Sequence, residues 1–210
     1  MNILHVTSSP RGSASYSNRV AANVLDELTA RNPGATVTVR DLAREPLPHI
    51  GDDFVAATRG PNGPQTDAQR ALLARSDELV DELFAADLIV IAAPMINFTI
   101  PTSLKAWIDY VARAGRTFRY SEKGPEGLLK GKKVFVLVAR GGAYKAGSPA
   151  AAFDFQEPYL RAVLGFLGIT DITFIHLEQL AMGQDTATAN RAKALSEIER
   201  LVGGAVAAAA

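Results

Sequence analysis

Cysteine is absent from this chain, and with it go disulfides, thiol nucleophiles, cysteine-ligated zinc and iron–sulfur clusters. Net charge is absent too, since 22 Lys and Arg balance 22 Asp and Glu. That balance lacks the basic footprint of a nucleic-acid binder. No apolar run approaches the roughly 20 residues that a bilayer span needs, so no membrane partner is expected either. Histidine is scarce: His5, His49 and His176 lie far apart, two of them inside strand-like segments, and they read as satisfied structural residues. G-x-G-x-x-G, the P-loop lysine pattern and G-x-S-x-G are all missing, which disfavours a tightly held Rossmann-type dinucleotide and an elbow serine. The opening MNILHVTSS has no basic region ahead of its apolar residues and leads straight into a strand pattern, so a cytoplasmic location is the default expectation.

What is present suits one domain of 210 residues with a sizeable core. Strand-like segments fall at Ile3–Thr7, Thr36–Val39, Leu88–Ala92, Val134–Ala139 and Ile172–Leu177. Helical spacing fills the gaps, at Ser17–Arg31, Thr66–Ala86, Thr102–Ala114, Glu157–Leu167 and Ala187–Val202. Strands alternating with crossover helices give a doubly wound α/β domain, a five-stranded parallel sheet covered on both faces. Asp77, Glu78, Asp81 and Glu82 read as the solvated face of one helix, and Gly203–Ala210 as a fraying end. Ala43–Gln65 and Gly115–Lys132 lack regular pattern and are long for loops in a compact domain, which marks them as functional or partner-facing.

Ligands of open parallel sheets bind beyond the carboxyl ends of the strands, at the point where strand order reverses. Three loops belong there. Ser8–Asn18, "SSPRGSASYSN", offers serine hydroxyls, Arg11 and, in Ser15 or Ser17, a cap for the next helix; such a helix start suits a phosphate. Pro94 closes its strand and Pro101 opens the following helix, so the residues between them, "MINFTI", present backbone to the cleft. In "ARGGAYKAG", Gly141 and Gly142 permit close approach to the backbone. A phosphate cradle, an apolar ledge with an amide and a glycine surface together suit a flat phosphorylated heterocycle, for which FMN is the natural candidate.

In that order, "SSPRGSASYSN", "APMINFTIPTSLKAWIDYVARAGRTFRY", "GPEGLLKGKK" and "ARGG" resemble the FMN-dependent NADH:azoreductases. The resemblance runs from the first strand to the last helix. It implies a flavodoxin-like fold and a homodimer that reduces quinones and azo compounds with NADH or NADPH. It implies that Ser9, Ser15, Tyr16 and Ser17 bind the FMN phosphate and ribityl chain. It gives Met95, Ile96, Asn97 and Phe98 to the isoalloxazine, with Ala139, Arg140, Gly141 and Gly142. Phe118 and Tyr120 are implied near a flavin or its substrate at the subunit boundary, and Arg59 is the candidate contact to the dinucleotide phosphates. One departure is Ile96, where many relatives carry an aromatic residue: flavin binding should persist while acceptor stacking changes. Two rivals stand beside this reading. A non-enzymatic flavodoxin-like electron carrier would have an acidic surface and a Thr-rich phosphate loop; a hydrolase of acyl-carrier-protein phosphodiester type would need a nucleophile or activated water.

Overall fold

The computed structural model describes residues 1–207, so the end of the Gly203–Ala210 tail lies outside the described residues. Its strands are β1 (Asn2–Thr7), β2 (Thr36–Asp41), β3 (Leu88–Pro94), β4 (Phe118–Ser121), β5 (Gly124–Gly127), β6 (Lys133–Ala139) and β7 (Asp171–Leu177). Its helices are α1 (Tyr16–Arg31), α2 (Asp52–Arg59), α3 (Asp67–Ala85), α4 (Thr102–Val111), α5 (Glu157–Phe166) and α6 (Gln184–Ala207). Five strands form one parallel sheet in the order β2-β1-β3-β6-β7, and β4 pairs with β5 in a separate antiparallel hairpin.

The central strands explain themselves. Leu88–Ala93 in β3 and Val134–Ala139 in β6 are buried on both faces, as uninterrupted apolar runs of parallel strands should be. One face, with Leu4, Ile91 and Val136, packs against α3, α4 and α5 through residues such as Leu83 and Trp107. The other, with Ile3, Val90 and Leu137, packs on α1 and α6 through Val24 and Ile198. Each buried aliphatic side chain contributes about 1.5–3 kcal/mol, so these two layers supply most of what orders the chain. Thr66 starts α3 with a reciprocal capping box to Gln69.

The structure lengthens the five expected strands and α1 by a residue or two, shortens α3, α4 and α5, and adds three elements. The Ala43–Gln65 stretch contains α2, and Gly115–Lys132 contains the β4–β5 hairpin. α4 stops at Val111 rather than Ala114, because the Thr117 hydroxyl donates to the Val111 carbonyl at 2.6 Å and accepts from the Arg113 N–H at 2.9 Å. Because β2 and β3 flank β1 on opposite sides, the chains leaving β1 and β3 diverge and open a crevice at the carboxyl edge.

Candidate functional site

The loop after β1 is bolted down before it reaches the crevice. Asn18 accepts from the Thr7 hydroxyl at 2.6 Å and donates to the Gly12 carbonyl at 3.0 Å, while the Ser8 hydroxyl donates to the Ala92 carbonyl at 3.0 Å. Ser15 occupies the N-cap position of α1, yet its side chain caps nothing; it pairs with the Ser17 hydroxyl at 3.0 Å. The first-turn N–H groups of α1 are therefore left without a side-chain acceptor, next to the buried hydroxyls of Ser9 and Ser15. Uncapped N–H groups at the positive end of a helix are what an anion replaces. Ser17 is 0% exposed, its hydroxyl paired with that of Ser15.

The segment between the two prolines is a tight turn. The Ile96 N–H donates to the Thr99 carbonyl at 2.9 Å and the Thr99 N–H to the Ile96 carbonyl at 3.1 Å. Asn97 and Phe98 between them have φ of 46° and 72°, both in the left-handed region, the pattern of a type I′ turn. Asn suits such a position; Phe does not, and its strain is of order 1 kcal/mol. The Phe98 carbonyl is held by the Phe155 N–H at 3.1 Å, and its ring packs on Phe153 at a centroid separation of 5.4 Å. The turn thus holds Ile96, Asn97 and Phe98 exposed at the carboxyl edge.

The loop after β6 supplies the facing wall. The carbonyls of Gly141 and Gly142 accept from Ala181 and Gln179 at 3.1 and 2.9 Å. Among the described residues their own N–H groups find no acceptor. Arg140 is different: its guanidinium is 0% exposed, and its backbone N–H and carbonyl are both spent on Leu177 and Leu180. These walls enclose a cleft of about 250 Å³, lined by Ser9, Ser15, Tyr16, Met95, Ile96, Ala139, Arg140 and Gly141 together with Pro10, Arg11, Pro94, Leu180 and Ala181. Ile96 also borders a second cleft of about 480 Å³, between the β1 and β2 loops and the start of α4. One end of the first cleft has the chemistry to take a dianion, and its other walls offer an apolar ledge and, at Gly141, an N–H donor, with the Gly142 N–H next in the chain.

Residues 1–202 match the family described as flavodoxin-like fold. The chain belongs to that family. Within it, the chain is 48% identical over 210 residues to the FMN-dependent NADH:quinone oxidoreductase of Mesorhizobium japonicum, covering 100% of both chains. It is 51% identical over 209 residues to the protein of that name from Ralstonia nicotianae, covering 99% and 100%. Among solved structures, an FMN-dependent NADH-azoreductase from Bacillus anthracis in complex with FMN superposes with a TM-score of 0.90 at 25% identity, covering 98% of this chain and 100% of that one. An azoreductase from the same species gives 0.88 at 31% identity, covering 96% and 98%.

Three residues expected at the site lie elsewhere in this flavodoxin-like domain. Phe118 is buried in the chain's own core, 4.6 Å from the Phe166 ring between centroids, instead of being displayed. Tyr120 is 75% exposed, but its hairpin packs against the turn between α5 and β7 at Gly168, on the amino edge of the sheet. Tyr120 lines neither cleft at the carboxyl edge of its own chain. Arg59 ends α2 and borders a separate cavity of about 110 Å³ beside the end of α4. Sequence reading missed Leu180 and Ala181, which the β6–β7 pairing carries into the wall, and the aromatic group of Phe153 and Tyr144 around Phe98. The "AAFDFQ" run after a long glycine-containing loop was the available signal for Phe153.

Other clusters carry no chemistry of this kind. A cavity of about 800 Å³ lies beside α3, its lining including Asp77, Glu78, Asp81 and Glu82. These carboxylates do more than face solvent: Arg113 and Arg116 hold Asp77, Arg116 holds Asp81, Arg40 and Arg75 hold Glu78, and Arg40 holds Glu82. His5 is not satisfied as expected; its Nε2 is buried without a partner, and burial lowers its pKa. His176 does have a partner, Glu157 Oε2 at 2.7 Å. Its hydrogen bond, with help from Arg161 and against burial, holds the Glu157 carboxyl at about 2 rather than 4.5. A depressed carboxylate pKa stabilises the fold above its unfolded value and ceases to do so as pH falls through the folded one. Glu157→Gln is therefore expected to destabilise the protein by about 1–3 kcal/mol at pH 7. The difference should shrink as pH is lowered from about 4.5 toward 2. Urea unfolding of both proteins at pH 7 and near pH 3 checks this; a gap independent of pH would rule it out.

Proposed function

We propose that residues 1–210 form one domain that binds FMN and passes electrons from NADH or NADPH to quinones and azo compounds. The names carried by the relatives quoted above support the reaction and the cofactor. The observation that carries the reading is the cleft itself. An uncapped helix start with buried serines faces one end of a molecule whose ring would meet the N–H of Gly141, and next to it that of Gly142, both without an acceptor among the described residues. When bound, FMN supplies the two-electron chemistry, accepting hydride from the nicotinamide and releasing electrons to the acceptor.

The chain's own residues hold and aim. Ser9 and Ser15, with the first N–H groups of α1, take the phosphate, and Tyr16 borders the ribityl chain. Met95, Ile96, Asn97 and Phe98 support the ring, and Ala139 with the two glycine N–H groups meets its polar edge. Ser17 and Arg140 act from behind these surfaces. A ring lying on one ledge leaves one face open, so nicotinamide and acceptor use a single pocket in turn, and turnover follows a ping-pong pattern. Arg59 and Tyr120 lie away from this cleft in their own chain, and the reading gives them to an assembled homodimer in which the exposed Tyr120 covers the partner's flavin. A cytoplasmic location goes with the reading; among the described residues, no helix is long and apolar enough to cross a membrane.

The deciding experiment is an absorption spectrum of the purified protein followed by chromatography of the flavin released on denaturation. FMN is expected, and its bleaching by NADH and recovery with a quinone complete the test. FAD, or no uptake of FMN on reconstitution, would refute the reading. A second expected result concerns Ile96, which is 42% exposed at the rim. Ile96→Tyr should tighten flat aromatic acceptors by about 0.5–1.5 kcal/mol, the worth of an aromatic pair, with FMN content unchanged. Loss of FMN from a folded Ile96→Tyr protein would show that the ring depends on the isoleucine side chain itself rather than on the loop as a whole.

A further inference from the structure

Arg140 borders the cleft but has no exposed hydrogen-bonding group to offer a ligand. Its side chain is 0% exposed, its N–H donates to the Leu177 carbonyl at 2.8 Å, and its carbonyl accepts from Leu180 at 3.1 Å. A guanidinium taken wholly out of water carries a desolvation cost of several kcal/mol, offset only where good partners surround it. Here they do. Nε donates to Gln156 Oε1 at 3.0 Å and Nη1 to Glu178 Oε1 at 3.2 Å. Nη2 lies 2.9 Å from Asp154 Oδ2 as an ion pair without hydrogen-bond alignment.

Each partner leads to a different wall of the cleft. Gln156 Nε2 donates to the Ala93 carbonyl at 3.0 Å, one residue before the proline that introduces the Ile96–Thr99 turn. Glu178 also accepts from the N–H groups of Tyr144 and Lys145, both at 2.9 Å, and so clamps the far end of the Gly141–Gly142 loop. Asp154 accepts from the N–H groups of Gln156 and Glu157 at 3.0 and 3.1 Å and fixes the segment whose Phe155 N–H holds Phe98.

We propose that Arg140 is a positioning residue: through Glu178, Gln156 and Asp154 it holds the segments after β3, β6 and β7 in one arrangement, and so aims the Gly141 and Gly142 N–H groups without touching the flavin. The inference rests on the reading of the cleft as an FMN site. It reverses the role the sequence resemblance implied for Arg140, that of a flavin contact.

The test compares wild-type protein with Arg140→Met, Arg140→Lys, Glu178→Gln and the Arg140→Met/Glu178→Gln double variant. FMN affinity is read by fluorescence titration at a temperature well below unfolding, with the visible flavin spectrum and far-ultraviolet circular dichroism beside it. Arg140→Met and Glu178→Gln should each weaken FMN roughly 10- to 100-fold, the range that outer-shell partners command at metal sites. Their effects should not add, because both break one path. Arg140→Lys, which keeps the charge but not the fork, should recover part of the loss. The flavin spectrum should shift while the circular dichroism stays that of the wild type. If Arg140→Met does not fold, Arg140→Lys and Glu178→Gln still decide the matter. Variants that lose thermal stability but bind FMN with wild-type affinity and spectrum would overturn the inference. So would an effect of Arg140 that Glu178→Gln does not share, since that is the behaviour of a direct ligand. Wild-type protein that takes up no FMN would instead overturn the reading of the cleft.

Discussion

Ser15→Glu is expected to abolish FMN retention. The Ser15 side chain borders the cleft at the start of α1, beside N–H groups that no side chain caps. A carboxylate there satisfies those groups from within and meets the incoming phosphate with like charge. Two unit charges 4 Å apart interact by about 4 kcal/mol at an effective dielectric constant near 20, which corresponds to about 1000-fold in affinity. The added carboxylate should not harm the fold, because negative charge near a helix start is favourable. Fluorescence titration with FMN and thermal unfolding of the apo protein check both halves. A yellow Ser15→Glu protein with near-normal affinity would place the phosphate elsewhere. Ser15→Ala, which deletes one hydroxyl but leaves the N–H groups, should cost much less.

Tyr120→Ala should lower kcat/KM for aromatic acceptors about tenfold with FMN content unchanged, as expected from losing one aromatic partner. The deficit should lie between subunits, because Tyr120 stands on the amino edge of the sheet, outside the cleft of its own chain. A mixture therefore carries a sharper result than either variant. When Ser15→Glu and Tyr120→Ala chains are co-expressed, each mixed dimer holds one complete site: the cradle of the Tyr120→Ala chain and the tyrosine of the other. Random pairing of two chains into twofold dimers makes half of them mixed, so about a quarter of all sites are complete, against none in either pure dimer. Activity that stays at the level of the pure variants would mean that Tyr120 serves its own chain or none.

Much of this was legible in the sequence, and the reasons are local. Leu88–Ala93 and Val134–Ala139 announce buried parallel strands because nothing polar interrupts them, and Pro94 and Pro101 bracket the turn because each restricts the backbone in a known way. The hairpin was hidden for the opposite reason: "GPEG" in β5 has almost no strand propensity and pairs only because β4 and the α5–β7 turn hold it. Arg140 and Ser17 are more deeply buried than their loop suggests, because motif position says which loop a residue belongs to, not which way its side chain turns. An arginine in a glycine-rich loop is expected in water, and only the gathering of Asp154, Gln156 and Glu178, 14 to 38 residues further on, makes its burial tolerable. Tyr120 was assigned to a flavin by family pattern; the edge of the sheet on which it sits is a property of topology that no short motif encodes.

The left-handed Phe98 has a consequence for anyone who sets out to make this protein hardier. Phe98→Gly would convert the turn to Asn-Gly, the pair that a type I′ geometry favours most, and would relax a strained backbone. The same change strips an aromatic ring from the mouth of the cleft and leaves Phe153 and Tyr144 without their common neighbour. Selection for heat resistance and selection for turnover should therefore pull position 98 toward different residues, and a library screened for survival alone should enrich glycine there while its members grow poorer at reducing aromatic acceptors.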